Sequence, residues 1–242
     1  PPHDRAALDA VVAGCHGERG LQLTDAREAA EAGRSPGDAL YLNDWLRKTG
    51  HFREAIAAIE RLNPASVDNG LALPYHLLGE HDKELAAAEA VHHTAPDNLG
   101  YLTMEAFAYV GLGRLDQMEQ VLEAMLKVPA NVETWGVTAA WAFTWVAADL
   151  DAHGHSAEAR DLYQRALALY RSRPQEEQDK HQYGYVVVLY RAGRWVEART
   201  VVQHIIATAA PSDSGDPVIW NRGAQSWLGG IAAHLGDQRE MD

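Results

Sequence analysis

Cysteine is nearly missing from this chain. Cys15 stands alone among 242 residues, which excludes an intrachain disulfide and any cysteine-based zinc site. A basic excess is missing too. Lys and Arg number 21 against 34 Asp and Glu, for a net charge of −13. Such a surface repels phosphate backbones and anionic lipid, so nucleic acid is not an expected partner. No hydrophobic run is long. The longest mainly apolar stretch, Val137 to Leu150, is 14 residues and includes Thr138 and Thr144. A bilayer span needs about 20 apolar residues, so membrane insertion is not expected. The first residues, Pro1-Pro2-His3-Asp4-Arg5, lack the basic stretch and apolar core of a signal peptide. There is no initiating Met, and the chain reads as a processed product, an expressed fragment or a piece of a longer polypeptide, expected in the cytoplasm. What remains is a hydrophobic share of 47% with 23% charged residues, enough to build a folded core.

That core is written as a repeat. Six turns look alike: Thr49-Gly50-His51-Phe52, Leu78-Gly79-Glu80-His81, Leu112-Gly113-Arg114-Leu115, His153-Gly154-His155, Ala192-Gly193-Arg194-Trp195 and Leu235-Gly236-Asp237. Their glycines are 29, 34, 41, 39 and 43 residues apart. A helical pattern precedes each turn. A second follows all but the last, and a proline then closes it: Pro64, Pro96, Pro129, Pro174 and Pro211. Glycine ends a helix cheaply because it tolerates the left-handed conformation, and proline cannot continue a helix interior.

Apolar residues keep fixed offsets from the turn glycine. Four before it stand Leu46, Tyr75, Tyr109, Leu150, Leu189 and Ala232. Nine after it stand Ile59, Ala88, Leu122, Tyr163 and Val202, and twelve after it Leu62, Val91, Met125, Ala166 and Ile205. All sixteen are apolar or aromatic, which a 47% background does not produce by chance. Seven before the glycine, Ala72, Ala106, Ala147 and Gly229 are small, so that paired helices can approach closely.

This pattern resembles the tetratricopeptide repeat, a helix–turn–helix of about 34 residues with a small residue in helix A, glycine at the turn, alanine early in helix B and a closing proline. The early helix-B alanine is Ala55, Ala159 and Ala198, and Glu84 replaces it in the second unit. The resemblance implies an all-α fold, a right-handed α-solenoid of stacked helix pairs. It covers residues 35–242 as about six units, the last incomplete, after a degenerate N-terminal helix pair in residues 1–34. In that pair Asp4–Val12 and Asp25–Ala32 read as helices around a loop from Gly14 to Gly20. The texture is also similar to the repeat-rich regions of some larger bacterial signalling proteins. The C-terminal end reads as either truncated or flexible, with an apolar helix face open to association.

Catalytic signatures are not found. The sequence has no GxxxxGK[ST], HExxH, EF-hand loop or GxSxG. Gly111-Leu112-Gly113 reads as a helix–helix turn, and Cys15 beside His16 does not make a dyad. Twelve histidines include the pairs His76/His81, His92/His93 and His153/His155, all read as solvated, so neither a metal nor a cofactor is expected. Trp135, Trp141 and Trp145 read as one helix, with 141 and 145 on one face.

In the family resembled, helix A lines a concave binding face. Its groove-facing places lie 13, 10, 6 and 3 residues before the turn glycine. Carried onto this chain, they include Asp44, Arg47, Asn69, His76, Thr103, Phe107, Trp141, Thr144, Asp151, Lys180, Tyr183 and Tyr190. Arg47, Asn69 and Lys180 are too scattered to form a carboxylate clamp. The strip mixes aromatic and polar side chains and suits an extended peptide or a partner's helix. The expected function is a non-enzymatic protein-interaction scaffold. The alternatives are a small-ligand or enzymatic protein on the same superhelix, and a structural subunit of a larger assembly.

Overall fold

The structure, a computed structural model, describes residues 19–32, 36–60, 70–129, 137–208 and 217–236. Among these there is no β-strand. The chain divides into two compact units, Pro1–Val132 and Glu133–Asp242. The first holds α1 (Arg19–Ala32), α2 (Pro36–Lys48), α3 (Phe52–Glu60), α4 (Ala72–Leu77), α5 (His81–Thr94), α6 (Leu99–Gly111) and α7 (Leu115–Lys127). The second holds α8 (Ala139–Ala152), α9 (Ser156–Arg171), α10 (Gln175–Lys180), α11 (Gln182–Arg191), α12 (Trp195–Thr208) and α13 (Pro217–Leu235).

The six repeat glycines are the six residues with positive φ among the described glycines, from 67° at Gly113 to 87° at Gly154. A side chain in that region clashes with the following carbonyl, so glycine is the cheap occupant. At Gly79 the amide donates to His76 O at 2.9 Å, and the next amide, of Glu80, reaches back to Tyr75 O at 2.9 Å. The second bond recurs as His51 to Leu46, Arg114 to Tyr109, His155 to Leu150 and Arg194 to Leu189. This six-to-one closure satisfies helix-end carbonyls and fixes where the next helix starts. Its acceptor is always the apolar residue four before the glycine, and at Leu46, Leu150 and Leu189 that residue also lies in the core.

Packing follows the chain. In the first unit α1 lies on α2, α2 on α3, α3 on α4, α4 on α5 and α6, α5 on α6, and α6 on α7. In the second, α8 packs on α9 and α11, α9 on α11, α10 on α11, α11 on α12, and α12 on α13. The glycine-registered positions fill these contacts. Ile59, Ala88, Leu122, Met125, Ala166 and Leu189 are fully buried, as are Ala72, Ala106 and Ala147 on the small-residue column.

Three helix boundaries differ from the sequence reading. Helix α1 begins at Arg19, inside the stretch read as a loop, because Leu23 and Ala26 form an apolar face that buries against the core containing Leu46 and Ala55. Helix α8 begins at Ala139, where the Thr138 hydroxyl accepts from the Trp141 amide at 3.2 Å. Trp135, read on one helix with Trp141 and Trp145, lies outside the described residues. The helix before Gly193, on which the family pattern puts both Lys180 and Tyr183, is split at His181 (φ −112°, ψ 21°) into α10 and α11. Asp4–Val12, Leu62, Pro64 and Pro211 lie outside the described residues.

Candidate functional site

In the first unit, the proposed groove residues separate by chemistry. Asp44 and Arg47 occupy each other across one turn of α2 at 2.8 Å, and Lys48 adds a second contact to Asp44 at 2.5 Å. Thr103 is a correction. It is fully buried, and its hydroxyl donates to Leu99 O at 2.6 Å, so it offers nothing to a groove. The reason is that the place ten before Gly113 falls on the face of α6 covered by neighbouring helices. Asn69 lies outside the described residues.

His76 and Phe107 do come together, with ring centres 5.4 Å apart, but in a different setting from the one expected. The Nδ1–H of His76 donates to Glu84 Oε1 at 3.0 Å, and that of His81 donates to Oε2 of the same carboxylate at 2.8 Å. Glu84 is 0% exposed, while the His76 and His81 side chains are 14% and 16% exposed. The carboxylate thus sits in the core and the two imidazoles cover it toward the surface. One donor atom from each of the three residues lies within 4.8 Å of the others, a spacing that can hold a metal ion. A second buried carboxylate, Glu105, takes a very short hydrogen bond from His92. Sequence reasoning missed both carboxylates. The signal for the first was present, because Glu84 stands where three of the other units place alanine.

The second unit carries an aromatic surface. Trp141 and Trp145 on α8 have ring centres 5.1 Å apart. Trp141 lies against Gly184 of α11, where an added Cβ would stand 3.3 Å from its ring. The neighbouring Tyr183 lines a shallow apolar depression with Val186, Val202, Ile205 and Trp227. Desolvation raises the Tyr183 phenol above its ordinary value, so it stays neutral at physiological pH. Tyr190, about two turns further along the same face of α11, meets Trp227 edge-on at 5.1 Å, and its hydroxyl bonds His234 Nε2 at 2.8 Å. His234 stacks on Trp195 at 4.4 Å. Thr144 is a second correction. It is buried, and its hydroxyl donates to Ala140 O at 2.8 Å, for the same reason as Thr103. Lys180 ends α10. Asp151 is exposed beside the Gly154 turn.

The chain has the helix–turn–helix repeat fold of the tetratricopeptide type. It is similar in structure to a tetratricopeptide repeat protein from Parabacteroides merdae. The TM-score is 0.51 over 99% of this chain and 89% of the other, with 14% sequence identity. No protein-family model and no curated protein matches the chain. Among the described residues, no helix is long and apolar enough to cross a membrane.

Proposed function

We propose that this protein is a non-enzymatic interaction scaffold that captures a peptide or a partner's helix. Its repeat fold is typical of protein-interaction scaffolds. The observation that carries the proposal is the aromatic surface on α8, α11 and α13, where Trp141, Tyr183, Tyr190 and Trp227 are half-buried rather than sealed in the core. Large aromatics in that state present a broad apolar face at low entropic cost, and such residues dominate interface energetics. A small-ligand reading is less well supported at this surface. The depression beside Tyr183 is shallow and encloses no cavity of the kind that buries most of a small ligand. The net charge of −13 favours a partner segment with basic residues around its apolar anchors.

The test is a selection of binding peptides from a displayed random library, followed by measurement against variants. Trp141→Ala and Tyr183→Ala should weaken the selected peptides by about 30-fold or more, the equivalent of roughly 2 kcal/mol. Helix content and melting temperature should stay near those of the parent. Equal binding by parent and variants would place the groove elsewhere. Unfolding by Trp141→Ala would make that residue part of the core.

A further inference from the structure

The second helix pair departs from its siblings at three positions that meet in space. Five residues after the turn glycine, the other pairs place Ala55, Met118, Ala159 and Ala198, all buried. The second pair places Glu84 there, with no exposure at all. An ionised carboxylate in such a position is strongly disfavoured unless it is matched by donors. The matching groups are His76, three before Gly79, and His81, two after it. The other pairs carry Arg47, Val110, Asp151 and Tyr190 at the first place, and Phe52, Leu115, Ser156 and Trp195 at the second.

The neighbouring helix is shaped to this cluster. An added Cβ on Gly111 would fall 2.3 Å from His81 Nδ1 and 2.6 Å from its Cγ. Gly111 lies in the last turn of α6 with ordinary helical backbone, where alanine would be better by about 1 kcal/mol on propensity alone. The helix gives up that stability at the one place where the imidazole needs the room.

We propose that His76, His81 and Glu84 bind a single divalent transition-metal ion, with zinc as the natural occupant. Two imidazoles and a carboxylate are ligands that suit zinc. The ion takes the place of the two Nδ1 hydrogens. Each neutral imidazole keeps its one proton by carrying it on Nε2, and the carboxylate supplies the negative charge. Bonds of about 2.0–2.1 Å in a tetrahedral arrangement separate ligand atoms by roughly 3.3 Å. The two imidazole nitrogens now contact the two different oxygens of the carboxylate, at 3.0 and 2.8 Å, and one donor atom from each residue lies within 4.8 Å of the others, so side-chain rotation has to draw the set together around the ion. Three protein donors leave one position for water or for a donor from a partner. The rings are the exposed edge of the cluster, so that fourth position lies toward solvent. The site sits in the first compact unit and does not depend on the aromatic surface of the second.

The experiment uses the full chain without an affinity tag, stripped with a chelator and titrated with zinc chloride against a chromophoric competitor. One zinc per chain should bind, and thermal unfolding should shift upward by several degrees at saturating zinc. His81→Ala and His76→Ala should each lower affinity by roughly 100-fold or more, with loss of the shift. Glu84→Ala installs the residue of three sibling repeats, so it should keep the helical spectrum and still lose the site. His153→Ala should leave the stoichiometry unchanged. Cobalt(II) should give intense visible d–d bands in the parent that vanish in His81→Ala. The proposal is overturned if the stripped chain takes up no stoichiometric zinc. It is equally overturned if one zinc per chain survives in both His81→Ala and Glu84→Ala.

Discussion

At the scale of single residues, position relative to the turn glycine decides what a side chain does. Leu122 stands nine after Gly113 and is fully buried, with Met125 completing the same face of α7. Leu122→Ala should lower stability by roughly 2–5 kcal/mol, read from the shift in denaturant midpoint at constant slope. A loss below about 1 kcal/mol would mean that the site collapses around the smaller residue or never packs as described. The same offset logic worked where apolarity alone was needed, as at Ile59, Ala88 and Leu189. It failed for Thr103 and Thr144, because a threonine can satisfy its hydroxyl on its own helix and then be buried like valine. It gave no account of Glu84 either. A carboxylate inside a core makes sense only once His76 and His81 are seen beside it, and that meeting is three-dimensional.

At the scale of elements, helix ends were more legible than helix beginnings. Each turn glycine announces a helix end through one residue whose backbone is special. A start depends on a cap, and several candidates usually compete. Helix α8 shows this: the apolar stretch runs from Val137, yet Thr138 accepts the Trp141 amide and sets the first turn. Asn98 does the same for α6, accepting from Gly100 and Tyr101. Thr138→Ala should therefore cost about 0.5–2 kcal/mol. Amide exchange should accelerate at Trp141 first, while the last turn of α8 keeps its protection. Uniform acceleration along the helix would show that Thr138 acts on the whole unit rather than on one end. The split at His181 had no sequence signal, since no glycine or proline stands there.

For the molecule as a whole, tyrosine burial sets a limit at high pH. Desolvation raises the phenols of Tyr163 and Tyr170 above their ordinary value of 10.0, Tyr170 by far the more. Tyr75 and Tyr109 are raised by the same cause, helped by nearby glutamates. The native state holds these protons more tightly than the unfolded chain does. Their contribution is complete below about pH 10 and is lost as pH climbs through the native values. The denaturant midpoint should thus begin to fall as pH rises past about 10 and go on falling above it, and Tyr170→Phe should flatten that fall. An unchanged slope in the variant would remove Tyr170 from the account. The histidine–carboxylate cluster has a consequence of a different kind, since its address is short: three before a turn glycine, two after, five after, with a glycine on the following helix. Nothing in that address is particular to one repeat. Because neighbouring repeats make the same contacts, it is a portable cassette, transferable to another turn of the array by a handful of substitutions. Tyr190→His, Trp195→His, Ala198→Glu and His234→Gly would write it at Gly193.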